Sequence, residues 1–166
     1  MPLPVKVKDV ADELEMLSDE FRSFLNRKTG EILNLPVNIL GVAEELEEDV
    51  DDEEVDLLEW EKPLFEDARR LVESEDFLRL PDKYEVHEYK IMERFCDTVE
   101  DDRMAENLFR AIRGRGAFRR FKDTLYRFEI EKDWYDFRRR ALEGIAVDWL
   151  EFHEIPYISG DERKAD

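Results

Sequence analysis

The chain has 166 residues, of which 43% are charged and 42% hydrophobic, and it carries a formal net charge of −19. Its apolar content argues against global disorder, and its length predicts a single globular domain over residues 1–158 with a disordered tail at 159–166. The net charge opposes binding to nucleic acid and anionic membranes and favours basic partners. Cys96 is the single cysteine, which excludes an internal disulfide. Because the sequence also shows no apolar leader and no membrane span, we expect a cytoplasmic protein.

The N-terminal part of the chain predicts a helix and a β-hairpin. Apolar residues recur at helical spacing between positions 10 and 17, and Asp9 is placed to cap that helix. Two short β-prone runs, at 21–26 and 31–35, flank a turn in which Gly30 suits a positive φ.

A second helix and a third strand are predicted after an acidic stretch. Pro63 suits the first turn of a helix whose apolar stripe occupies 64–71, and the run 77–80 predicts a strand beside the hairpin. From 86 to 152 the apolar residues recur at helical spacing. The predicted fold is therefore α+β and predominantly helical, with a small N-terminal antiparallel β-hairpin or three-strand sheet and a C-terminal helical bundle.

Three local predictions concern that bundle. Gly114 is expected to end one of its helices. The spacing of Phe118, Phe121 and Phe128 is typical of a buried stripe on the next helix. Asp133 is placed to cap the last helix.

Several motifs give the chain a family resemblance. Over about residues 5–154 it resembles the bacterial Uncharacterised Protein Family 0158, and we expect an intact member of that family. The resemblance implies no particular activity. The motifs are FLNRKTGE at 24–31, YEVHEYKIMERF at 84–95, RGRGAFRRFKD at 113–123 and DWYDFR at 133–138, with AVDWL at 146–150.

The sign of the charge reverses within the C-terminal half. Residues 103–140 contain twelve basic and six acidic side chains, a net charge of +6, whereas the rest of the chain has 14 basic and 39 acidic side chains, a net charge of −25. Glycine-rich backbone before a helix, together with arginine, is suited to an anion site for phosphate or nucleic acid. The alternative, which the excess of acids favours, is that these basic residues pair with the protein's own acids. The candidate residues are Arg113, Arg115, Arg119, Arg120 and Lys122.

An acidic run occupies residues 44–56, where ten of thirteen side chains are Asp or Glu. Like charges at this density predict a solvated loop or a frayed helical segment. The alternative is an electrostatic docking strip for a basic protein partner. Its candidate residues are Glu47, Glu48, Asp51, Asp52, Glu53 and Glu54.

His87 lies near Glu85, Glu88 and Glu93, which raises the hypothesis of a metal or hydrolase site. The spacing matches no known ligand motif, and we interpret His87 as a capping or hydrogen-bonding residue and Cys96 as a core residue. The sequence therefore predicts no catalytic residue, no metal ligand and no cofactor.

Three functions remain open from the sequence. The leading one is a non-enzymatic protein-interaction or regulatory module with a basic protein partner and no membrane contact. The second is a nucleic-acid or phosphate-binding module that uses the Arg-Gly-Arg-Gly helix start. The third is a carboxylate- or metal-dependent hydrolase centred on His87.

Overall fold

The computed structural model describes residues 4–45 and 56–159 and has the α+β, mainly helical fold that the sequence predicts. Three strands form an antiparallel sheet near the N-terminus, and helices make up most of the C-terminal half. The elements in chain order are β1 (Val5–Lys6), α1 (Val7–Glu15), β2 (Phe21–Asn26), β3 (Ile32–Pro36), α2 (Val37–Glu45), a 3₁₀ turn (Glu59–Glu61), α3 (Lys62–Glu73), β4 (Phe77–Arg79), α4 (Lys83–Val86), α5 (Glu88–Thr98), α6 (Asp102–Ala111), α7 (Ala117–Arg127), α8 (Glu131–Phe152) and β5 (Tyr157–Ile158).

The predicted hairpin and third strand form one sheet with the strand order β3-β2-β4. Both pairings are antiparallel, and Phe24 lies opposite Leu33 on one side and Arg79 on the other. The hairpin turn is closed by the Asn26 side chain, whose Oδ1 accepts a hydrogen bond from the Lys28 amide at 2.9 Å. The turn ends at a glycine with φ of 79°, as the sequence predicts.

Helix α2 is a difference from the sequence analysis, which assigned no helix between the hairpin and the acidic run. It follows β3 directly and buries Ile39, Leu40 and Ala43 in a small core with the sheet and α3. The helix includes Glu44 and Glu45 at its exposed end. The rest of the acidic run up to residue 55 lies outside the described residues.

Helix α1 begins earlier than predicted. Its first residue is Val7, and Lys6 occupies the N-cap position without a side-chain cap, so the prediction that Asp9 caps this helix is wrong. The helix starts here because Val7 and Val10 are both buried, so core packing extends the helix past the capping signal. Two parallel strands, β1 and β5, pair beside it and join the two ends of the described chain.

The core of the helical bundle is built around edge-to-face aromatic contacts. The Phe121 and Trp134 ring centres lie 4.8 Å apart, and Phe95 contacts both rings at 6.2 and 5.4 Å. These three side chains come from α7, α8 and α5, so they join α5 to the two helices that follow α6. Edge-to-face pairs of this kind stabilise by about 0.5–1.5 kcal/mol beyond their buried area.

The start of α8 also differs from the prediction. The helix begins at Glu131 after Ile130, and Asp133 lies in its first turn rather than at the cap. The N-cap position is occupied by Ile130, whose side chain has no hydrogen-bond acceptor, and Glu129 before it has a φ of 57°. Among residues 4–45 and 56–159, no helix combines the length and the apolar character that a membrane span requires.

Candidate functional site

The predicted anion site lies at the corner where α6 meets α7. The turn between these helices contains Gly114 and Gly116, both with positive φ, at 75° and 72°. A Cβ added at Gly114 would meet nothing within 4 Å, so its backbone angle, and not the available space, favours glycine there. Helix α6 ends at Ala111, close to the glycine that was expected to end it.

Arg120 closes this corner. Its Nε donates a hydrogen bond to the carbonyl oxygen of Ala111 at 3.1 Å, and its two terminal nitrogens donate to the carbonyls of Arg113 and Arg115. The last carbonyls of a helix lack partners within that helix, and a guanidinium group satisfies several of them at once. Arg120, one of the five predicted anion ligands, is therefore engaged by the protein's own backbone.

The other four predicted ligands are exposed, and none of them forms an ion pair with a described residue. Arg119 and Lys122 lie three residues apart on α7, and Arg115 lies in the turn before that helix. Lys122 neighbours two aromatic side chains: its Nζ lies 5.0 Å from the Phe118 ring centre and 5.7 Å from that of Tyr135. We call this region the arginine–aromatic surface, and it consists of Arg113, Arg115, Phe118, Arg119, Lys122, Tyr126 and Tyr135.

The exposed aromatic residues correct the predicted buried stripe. Phe121 is fully buried, but Phe118 is 49% exposed, and Tyr126 and Tyr135 are 73% and 51% exposed. Phe118 precedes Phe121 by three residues, which places it about 60° around the helix from the buried face. The helical spacing therefore predicts the burial of Phe121 correctly and that of Phe118, the first residue of the stripe, wrongly.

A shallow groove of about 410 Å³ continues the basic region between α6 and α7. Arg110 and Arg127 line it together with Arg120, and Asp123 is its single acidic residue. Arg110 is paired with Glu106 at 3.0 Å. The sequence analysis omitted Arg110 and Arg127 from the site, although the seven-residue spacing of Arg120 and Arg127 places both on one side of α7.

His87 lies at a backbone junction between two helices and belongs to no group of metal-binding side chains among the described residues. It joins α4 to α5 in the left-handed conformation, with φ of 54°, and its exposed side chain makes no capping hydrogen bond. The predicted capping role of the His87 side chain is therefore wrong. Its neighbour Glu88 is held by Arg138 at 2.5 Å. Within the described part of the chain, no three His, Cys, Asp or Glu side chains are grouped so that they hold a metal ion.

Cys96 is a core residue, as predicted. It is buried in the bundle, and burial raises the pKa of its thiol from 9.0 to about 12. The thiol is therefore protonated at neutral pH. A protonated buried thiol is a poor nucleophile and metal ligand.

The fold and this surface define a small acidic α+β protein with exposed basic and aromatic side chains at the α6–α7 turn, on α7 and at the start of α8. The chain belongs to the Uncharacterised protein family UPF0158, whose family model matches residues 1–164, and the predicted resemblance is thereby confirmed. A UPF0158 protein of Pseudomonas aeruginosa is 33% identical over 66 residues, which is 39% of this chain. The alignment spans 43% of that relative's length. No solved structure matches the chain.

Proposed function

We propose that this protein is a binding module for single-stranded nucleic acid and that the arginine–aromatic surface is its contact face. The observation that supports this function is the combination of four basic side chains that form no ion pair with a described residue and three exposed aromatic rings. Single strands are bound in this way by other proteins, because basic groups follow the phosphates while the bases stack on aromatic faces. Each stacked base contributes roughly 1–3 kcal/mol.

The contrast with other arginines supports the proposal. Arg27, Arg79 and Arg139 each lie within 4 Å of a carboxylate, as expected where acids outnumber bases. Arg113, Arg115 and Arg119 have no such partner among the described residues, although they belong to the same acidic chain. Their guanidinium groups are available to phosphate oxygens without first breaking an ion pair to any residue in 4–45 or 56–159.

The net charge of −19 limits this function to short range. At physiological ionic strength the Debye length is about 8 Å, so distant acids are largely screened while contact charges are not. A single strand also offers unstacked bases, which a duplex hides. The proposal therefore predicts a preference for single-stranded over double-stranded ligands of equal length.

Fluorescence anisotropy with labelled single- and double-stranded RNA and DNA tests the function. We expect saturable binding of the single strands by the unaltered protein. The affinity should be lower in Arg115→Ala/Arg119→Ala and in Phe118→Ala/Tyr126→Ala. The matched control is Arg27→Ala/Arg79→Ala, which removes two ion-paired arginines from elsewhere and should leave binding unchanged. No saturable binding at any salt concentration, or equal losses in the control, would reject the proposal.

A protein-interaction module is the second candidate, since exposed tyrosine and arginine are the residues that most often dominate protein interfaces. The predicted basic partner would use the acidic run, whose six candidate residues lie outside the described residues. A poly-lysine probe tests that idea: neutralising the six carboxylates to Gln and Asn should abolish binding, and unchanged binding would contradict it. The hydrolase hypothesis centred on His87 stays a prediction.

A further inference from the structure

A cleft of about 760 Å³ lies between α5, the start of α6 and the first half of α8. This volume falls within the range of small-molecule sites, about 300–1,000 Å³. The cleft shares no residue with the arginine–aromatic surface. Its apolar lining includes Phe95, Val99, Met104, Ile130 and Phe137.

Six charged residues line the cleft, and two of them are already engaged. Asp136 is bound by Lys132 at 2.9 Å, and the Asp101 side chain caps α6 by accepting the Met104 amide at 3.0 Å. The remaining four form no ion pair with a described residue. They are Arg94, Glu100, Asp133 and Arg140.

Helices α5 and α8 run antiparallel, and their directions indicate which of the four charged residues lie near each other in the cleft. Arg138 on α8 binds Glu88 at the start of α5, and Trp134 on α8 contacts Phe95 near the end of α5. Residues that follow Val99 therefore lie beside the first turn of α8.

The cleft consequently has a basic end and an acidic end. At the basic end, the Arg94 guanidinium lies 5.9 Å from the Phe137 ring centre, one turn of α8 before Arg140. At the acidic end, Glu100 lies beside the turn that contains Asp133. Asp133 and Arg140 are seven positions apart on α8, a rise of about 10 Å, and Phe137 and the Lys132-bound Asp136 lie between them.

We propose that this cleft binds a short zwitterionic peptide of about three residues. Its carboxylate binds Arg94 and Arg140, its ammonium group binds Glu100 and Asp133, and its side chains lie on the apolar floor around Phe137. An extended tripeptide spans about 10 Å, which is similar to the helical rise from Asp133 to Arg140. A ligand with a single charge would leave two of the four protein charges unpaired, so the geometry selects opposite charges at a fixed distance.

Isothermal titration calorimetry of the full chain with trileucine tests the proposal. The same peptide is titrated with an acetylated amino end, with an amidated carboxyl end and with both. We expect each single block to weaken binding roughly tenfold or more, because it removes a charge-assisted contact. Dileucine and hexaleucine should also bind more weakly. Absence of trileucine binding at millimolar concentration, or full affinity of the doubly blocked peptide, would overturn the proposal.

Two double variants identify which end binds which group. Arg94→Gln/Arg140→Gln should make the protein insensitive to amidation but not to acetylation, and Glu100→Gln/Asp133→Asn should do the reverse. Arg27→Gln is the control, since neither Arg27 nor its ion-pair partner Asp76 lines the cleft, and it should leave both effects intact. If both double variants lost the two effects equally, the assignment of the ends would be wrong. The blocked peptides still test the site on the unaltered protein if a variant fails to fold.

Discussion

Arg120→Ala tests whether the backbone at the α6–α7 corner depends on one guanidinium group. The substitution removes hydrogen bonds to three carbonyls, those of Ala111, Arg113 and Arg115. A hydrogen bond from a charged group contributes about 1.5–3 kcal/mol when well shielded from water. Because Arg120 is largely exposed, we take about 1 kcal/mol for each bond, and we expect a loss of about 2–3 kcal/mol.

The free energy of unfolding is measured by urea denaturation, followed by tryptophan fluorescence and circular dichroism. For a chain of this size the loss corresponds to a fall in Tm of about 5–10 °C. Arg119→Ala is the matched control, because it lies on the same helix, is exposed and makes no ion pair with a described residue. Its effect should stay within about 0.5 kcal/mol. Arg120→Lys should resemble the alanine variant, since an ammonium group lacks the planar fork that reaches several carbonyls.

Equal stability of the Arg120→Ala and Arg119→Ala variants would refute this reasoning. The carbonyls would then be satisfied by water at no net loss, and the corner would hold its shape without Arg120. Amide hydrogen exchange gives an independent reading. The amides of residues 113–116 should exchange faster in Arg120→Ala if the guanidinium group holds the turn, and unchanged rates would contradict that role.

Three further predictions concern the bundle. Phe121→Ala should cost about 3–5 kcal/mol in urea denaturation, whereas Phe118→Ala should cost less than about 1 kcal/mol, and equal losses would contradict their different burial. His87→Gly should raise the free energy of unfolding by up to about 1 kcal/mol, because glycine relieves the strain that His87 has at positive φ. His87→Val should lower it, because a β-branched residue is strained more at this φ, and a loss in both variants would indicate a side-chain role. Because burial raises the pKa of the Cys96 thiol, this thiol ionises at a lower pH in the unfolded chain than in the folded protein. The contribution of the thiol to the free energy of unfolding is therefore full below about pH 9 and falls progressively towards about pH 12. Cys96→Ala should remove that part of the alkaline fall, and an unchanged pH profile would show that the thiol pKa is not raised.

The hairpin was predictable because the residues that determine its turn and its strands are close together in sequence. Asn26 and Gly30 provide the turn chemistry, and the flanking runs alternate towards one buried face. Helix α2 was missed because its apolar residues adjoin a dense acidic run, whose charge dominated the interpretation. The buried Ile39 and Leu40 pack against β3 and α3, and that contact is visible only in three dimensions.

The candidate site was predictable by residue type but not by partner. The sequence located the basic cluster and left open whether its members pair with acids. The structure places Arg120 on backbone carbonyls, a partner that no charge count reveals, and leaves Arg115 and Arg119 exposed. Asp9 and Asp133 show the same limitation, since a capping residue type does not fix where packing lets a helix begin.

The separation of charge within the chain yields a prediction that an ordinary nucleic-acid-binding protein would not give. A typical basic protein loses affinity steadily as salt rises, since phosphate contacts release counterions. Here the rest of the chain carries a net charge of −25 against +6 in residues 103–140. At 0.01 M salt the Debye length is about 30 Å and the whole acidic body repels the strand, whereas at 0.1 M it is about 10 Å and mainly the contact surface acts.

We therefore expect the affinity for single strands to rise with salt, pass through a maximum and then fall. In Arg115→Ala/Arg119→Ala the falling limb should become shallower, while the rising limb should persist because the acids are unchanged. A steady decline of the wild-type affinity from the lowest salt upward would show that the acidic body does not act on the ligand, and the proposed balance of long-range repulsion and local attraction would be wrong.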